Sequence, residues 1–117
     1  MKRLAMTSFL FGGCLALLLA LVPAAAAQDK PVEVPLTVAN QKFDPAEVKV
    51  KAGQPFVLVV TNNDPKKAVE VENKDLRIEK VVPAGKTVNV RIRALKPGAY
   101  AFFDDFNKAA TGRVVAE

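Results

Sequence analysis

Five carboxylates have the types and spacing to do chemistry: Glu70 and Glu72, then Glu79, then the adjacent pair Asp104 and Asp105. Glu70 and Glu72 lie two apart, so on a strand their side chains leave the same face. Asp104 and Asp105 end the run Tyr100-Ala101-Phe102-Phe103, where alternation puts Tyr100 and Phe102 on one face and Ala101 and Phe103 on the other. A strand of this kind delivers oxygen donors to the rim of a β-sandwich. Several carboxylates gathered there would hold a hard cation such as iron, manganese, magnesium or calcium. The competing assignment is a solvated sheet face, with Glu70 and Glu72 paired across strands to Lys80, Arg91 or Arg93 for up to ~1 kcal/mol each. Spacing alone leaves both open. Asp also caps nearby backbone N–H groups, so one of the Asp pair could do that while the other faces a ligand or solvent.

The missing residue types narrow the chemistry further. The chain has no His, and Cys14, Met1 and Met6 all precede residue 28. The rest of the chain therefore has only oxygen donors for an ion. This excludes a blue-copper centre, which needs two His and a thiolate. It also excludes zinc held by Cys and His, ordinary haem ligation, thiol redox chemistry, and Ser-His-Asp or Cys-His nucleophiles. Paired carboxylates can do acid–base work, but so small a domain has little room for a deep substrate cleft. An enzyme is the last-ranked reading.

The elements that must position the acids occupy residues 28–117. Residues 1–27 have the layout of a secretory signal: Lys2 and Arg3, an apolar run from Phe9 to Val22, then Pro23 and small residues ending in Ala25-Ala26-Ala27. Cleavage is expected before Gln28, which implies export to the periplasm. The apolar run is shorter than the ~20 residues of a membrane span, and it continues past Cys14, where a lipoprotein signal would have ended. No membrane association is expected after cleavage. The formal charge is +5, of which Lys2 and Arg3 account for two, leaving +3 beyond the signal. The basic residues are spread out and not interleaved with stacking aromatics, so nucleic acid is not an expected partner.

Beyond the signal, short alternating segments separated by Gly/Pro turns predict seven or eight strands in an all-β, antiparallel sandwich or small barrel. Val32 to Val38 alternates and carries Pro35, which fits an edge strand. Phe43 sits in a turn and plugs the core. Glu47 to Val50 is a strand, and Phe56 to Thr61 is apolar enough for a central strand covered on both sides. Val69 and Val71 point inward, opposite Glu70 and Glu72. A mixed segment from Leu76 to Val82 and a clean strand from Val88 to Ile92 follow, then the aromatic strand. Residues 107–111 read as a loop and 112–115 as a closing strand. Tyr100 resembles a tyrosine corner, whose hydroxyl bonds back to backbone. Phe102, Phe103 and Phe106 read as core or site-wall residues.

These elements resemble the cupredoxin family over almost the whole of residues 28–117. The residues that carry the resemblance are Phe43-Asp44-Pro45-Ala46-Glu47-Val48, Val50-Lys51-Ala52-Gly53, Val60-Thr61-Asn62, Pro83-Ala84-Gly85 and Pro97-Gly98-Ala99-Tyr100-Ala101-Phe102. The resemblance implies a cupredoxin-like Greek-key β-sandwich. A cupredoxin continues from its Tyr-x-Phe to a Cys, then a His, a Met and a Gly. Here Asp104 falls at the Cys position, Asn107 near the His and Ala110 near the Met. The loop after Asn62, where the family places its first His, offers Lys66, Lys67 and Ala68. Type 1 copper is therefore not supported.

A narrower resemblance rests on Glu70-Val71-Glu72-Asn73, Leu76, Glu79-Lys80-Val81-Val82 and Phe102-Phe103-Asp104-Asp105-Phe106. These segments are similar to the EfeO-type cupredoxin-like domains, bacterial periplasmic proteins associated with iron uptake. That implies a carboxylate metal site from Glu70, Glu72, Glu79, Asp104 and Asp105, with iron or another divalent metal as the ion. It also implies an iron permease or a periplasmic iron-binding protein as partner. Such domains commonly carry a His after the Asp-Phe pair; this chain has Asn107. The second expectation, from a different class, is a periplasmic interaction module with no metal, using the Lys66-Lys67 loop or the Arg91/Arg93 face.

Overall fold

The computed structural model describes residues 30–117. The expected signal, its cleavage site and Cys14 lie outside the described residues. Nine strands follow in order: β1 (Val32–Ala39), β2 (Lys42–Asp44), β3 (Glu47–Val50), β4 (Phe56–Asn62), β5 (Val69–Asn73), β6 (Ile78–Val82), β7 (Thr87–Ile92), β8 (Gly98–Asp104) and β9 (Asn107–Ala116). The described residues contain no helix. One sheet has the order β2-β1-β4-β7, the other β3-β9-β8-β5-β6.

The period-2 patterns account for the sandwich. In β4 and β5 the residues alternate between buried and half-buried along the whole strand. Leu36, Leu58, Val60, Val71, Val82, Phe102 and Val114 are almost fully enclosed between the sheets. Each such side chain contributes about 1.5–3 kcal/mol relative to exposure. Phe43 is buried as expected and meets Phe102 edge-on, with ring centroids 4.9 Å apart and planes at 86°. The Tyr100 hydroxyl donates to the Lys96 carbonyl at 2.7 Å, as a tyrosine corner requires.

Four features differ from the sequence reading. The sandwich is not wholly antiparallel, because β1 pairs with β4 and β3 with β9 in parallel. Strand order is decided by which apolar faces meet, and alternation carries no information about it. β4 is central but not covered on both sides, since Val57, Val59 and Thr61 remain half-buried. The supposed turn around Phe43 contains a ninth strand, β2, entered through a two-residue turn in which Asn40 and Gln41 both have positive φ (52° and 60°). Pro35 keeps an open side because β2 pairs only with Thr37, Val38 and Ala39.

The fourth difference lies next to the candidate acids. Residues 107–111 are not a loop; β9 runs unbroken from Asn107, and Asp104 pairs with Asn107. Asp105 and Phe106 make the turn, and residues 108–110 bulge out of the ladder between the Asp104–Asn107 and Phe103–Thr111 pairs. Two buried asparagines anchor the neighbouring loops. Asn62 donates to the carbonyls of Lys67 (2.8 Å) and Val82 (3.1 Å) and accepts from the Asp64 N–H (3.0 Å). Asn73 donates to the Ala101 carbonyl and accepts from the Leu76 N–H at 2.8 Å.

Candidate functional site

β5 presents Glu70 and Glu72 on the outer face of the five-stranded sheet, because Val69 and Val71 take the inner face. The β8–β9 turn brings Asp105 alongside. One carboxylate oxygen from each of Glu70, Glu72 and Asp105 lies within 4.8 Å of the other two. Metal–oxygen bonds of about 2.0–2.6 Å allow two ligands of one ion to stand up to about 5.2 Å apart, so the three oxygens are within the range of a single hard cation. Glu70 and Glu72 are half-buried, and the Asp105 side chain is 38% exposed.

Like charge dominates the electrostatics of this patch, with Lys108 facing Asp105 as its basic neighbour. Partial burial raises the Glu70 pKa above the ordinary 4.5, and the Asp105 and Glu79 carboxylates beside it raise it further. The register explains why. Glu72 sits directly opposite Glu79, Glu70 opposite Val81, and Lys80 opposite Val71. Lys80 is therefore on the other face from the acids, while Arg91 and Arg93 belong to, or follow, a strand of the other sheet. Arg93 donates to the Asp75 carbonyl. The ion pairs among the described residues are Lys108–Asp105 at 3.8 Å and Arg113–Glu47 at 3.0 Å. The cross-strand pairing expected for Glu70 and Glu72 is not among them.

The structure distributes the five sequence candidates over three places. Glu70, Glu72 and Asp105 converge. Glu79 borders them on exposed β6, opposite Glu72. Asp104 turns the other way: it is 4% exposed, and its Oδ1 accepts the N–H groups of Glu70 (2.9 Å) and Phe106 (3.0 Å). This is the backbone-capping half of the role split expected for the Asp pair.

Asp104 also lines a cavity of about 280 Å³ at the end of the sandwich, with Gln41, Asp64, Lys67, Phe106 and Asn107 among its walls. Asn107 donates to the Gln41 side chain at 3.2 Å, joining two hairpin turns across the cavity. Asp64 Oδ1 accepts the Lys66 and Lys67 N–H groups (2.9 Å each), and these bonds hold its carboxyl below the ordinary 3.8. No residue signal in the sequence marks Gln41, since its place depends on the β1–β2 turn. Phe106, expected in the core or a site wall, is 57% exposed at the hairpin tip although one side meets the cavity.

Residues 12–116 match the cupredoxin-like domain family. This chain belongs to the cupredoxin-like domain family. It is 35% identical over 80 residues to an uncharacterized protein of Rickettsia prowazekii (strain Madrid E), a match that takes in 68% of this chain and 63% of that protein. Among solved structures it is similar to the metal-binding domain of the Streptococcus pneumoniae D39 Cu(I)-exporting P-type ATPase CopA with Cu(I), with TM-score 0.65, 14% identity, and 73% of this chain and 84% of that one covered. It is also similar to reduced auracyanin from Roseiflexus castenholzii, with TM-score 0.62, 13% identity, and 74% and 97% covered. Identities this low show the fold alone.

The family implies copper, and the residues at the sandwich end do not fit a type 1 centre. No described residue is His, Cys or Met. Asp104, at the position of the family's thiolate, is committed to two backbone N–H groups. Asn107, near the imidazole position, bonds Gln41. Ala110, near the thioether position, is buried at 3% exposure within β9.

Proposed function

We propose that this cupredoxin-like protein is an exported metal-handling accessory that takes a divalent cation through Glu70, Glu72 and Asp105, with Glu79 bordering the site. The observation that carries this reading is the convergence of three carboxylate oxygens within 4.8 Å on a face where partial burial, and then neighbouring like charge, raise the Glu70 pKa. A cation placed there relieves that repulsion, and oxygen-only ligation favours hard or borderline ions. The similarity of residues 70–82 and 102–106 to EfeO-type domains supports iron as the cargo and the periplasm as the place. It also supports an iron permease or a periplasmic iron-binding protein as the partner.

Titration of the purified protein with Mn²⁺, and with Fe²⁺ under anaerobic conditions, tests the reading by calorimetry. Uptake is expected below roughly millimolar concentration, the weak end of protein oxygen sites. Glu70→Ala should weaken it by roughly tenfold or more, as loss of a charged ligand does. Equal affinity in wild type and variant would remove Glu70 from the site.

A second reading is a binding module without metal. The exposed Phe106 ring at the hairpin tip favours it, since exposed aromatics are enriched at interfaces. Absence of any uptake in the same titration would leave that reading standing.

A further inference from the structure

We propose that Asp104 is not a ligand but the positioning residue that assembles the acidic face, a role that rests in part on the metal reading above. The β5–β8 ladder is short: Val71 pairs with Asp104 and Glu72 with Phe103. Beyond Val71 the two strands are joined differently. The Glu70 N–H donates to the Asp104 carboxylate at 2.9 Å, while the Glu70 carbonyl accepts the Asp105 N–H at 2.8 Å. The same Asp104 oxygen accepts the Phe106 N–H at 3.0 Å. One buried carboxylate oxygen thus ties the peptide that carries the Glu70 side chain to the turn that carries Asp105.

Charge-assisted bonds of this kind are stronger than neutral ones, and a nearly enclosed acceptor leaves its donors orphaned when removed. Asp104 thereby fixes the distance between side chains that it does not itself approach. Its own carboxyl lies on the cavity side of the sheet, with Val38, Val69 and Asn107 among the walls there.

The role separates from that of a ligand by substitution. Asn at position 104 keeps an oxygen acceptor for both N–H groups but loses the charge a ligand needs. Mn²⁺ is titrated into the purified wild-type protein and into Asp104→Asn, Asp104→Ala and Asp105→Asn, with amide hydrogen exchange recorded at Glu70 and Phe106. Asp104→Asn is expected to bind within about threefold of wild type. Asp105→Asn and Asp104→Ala should each lose roughly tenfold or more, the scale of one charge-assisted bond. Exchange at both amides should stay slow in Asp104→Asn and accelerate by roughly tenfold or more in Asp104→Ala.

If Asp104→Asn binds as poorly as Asp105→Asn, Asp104 is a ligand and the proposal is overturned. Unchanged exchange at both amides in Asp104→Ala overturns it as well. If wild type takes up no Mn²⁺, the metal reading fails, and amide exchange alone still decides the positioning role. If Asp104→Ala does not fold, the comparison of Asp104→Asn with Asp105→Asn decides between ligand and positioning residue.

Discussion

At the scale of the residue, Glu70 ties the patch to pH. Its pKa is raised in the folded protein, first by partial burial and then by Asp105 and Glu79. A carboxyl with a raised folded pKa contributes stability that is complete below the unfolded value, here 4.5, and that is lost as pH rises through the folded value. Asp64 has the opposite sign: its contribution is present above 3.8 and is lost as pH falls through its lowered pKa. Melting temperatures of wild type and Glu70→Gln, compared from about pH 4 to about pH 7, should diverge as pH rises, with the variant gaining on wild type. A constant difference across that range would show that the Glu70 charge carries no strain. Bound cation should reverse the trend in wild type, because deprotonated ligands are what it selects.

At the scale of the element, the β8–β9 hairpin governs both the core and the site. Gly112 lies opposite Phe102 in the ladder. A Cβ at position 112 would stand 2.5 Å from Phe102 Cζ and 3.1 Å from the Ala46 carbonyl oxygen. The ring cannot retreat easily, since it is 1% exposed and packed against Phe43. Gly112→Ala should destabilise by about 1–3 kcal/mol, the usual cost of overpacking. Thermal unfolding should register it, at about 4–8 °C per kcal/mol for a domain of this size. The hairpin also shows where local pattern stops being informative. The aromatic alternation of β8 is plain in Tyr100 to Phe103. The continuation into β9 is not, because Asn107, Lys108 and Thr111 are polar and resemble a loop. Asn107 and Thr111 are held as strand by pairing with Asp104 and Phe103, and residues 108–110 bulge between them, a pattern that composition does not encode.

At the scale of the whole molecule, a cupredoxin-like scaffold carries its acidic patch on an outer sheet face, while the cavity at the end of the sandwich is bridged by the Asn107–Gln41 hydrogen bond. Among the described residues no helix is long and apolar enough to cross a membrane. A ligand that binds only the folded state stabilises by mass action, about 2.7 kcal/mol at a hundred times its dissociation constant. Saturating Mn²⁺ should therefore raise the melting temperature by roughly 10–20 °C. Cu²⁺ should produce no intense thiolate-to-copper absorption, since the described residues hold no sulfur donor. A blue product would overturn the assignment of the sandwich end.

Residue types alone determined the donor chemistry: a chain whose described part lacks His, Cys and Met can offer an ion only oxygen. Alternation determined that the architecture is all-β and that Glu70 and Glu72 share a face, since both follow from a two-residue period; the choice of sandwich over small barrel came from the resemblance to cupredoxins. The convergence of Asp105, and not Asp104, on that face was decided by tertiary structure. Adjacent residues on a strand point to opposite sides, and only the register of β8 against β5, with the turn that follows it, sets which of the two acids meets the glutamates.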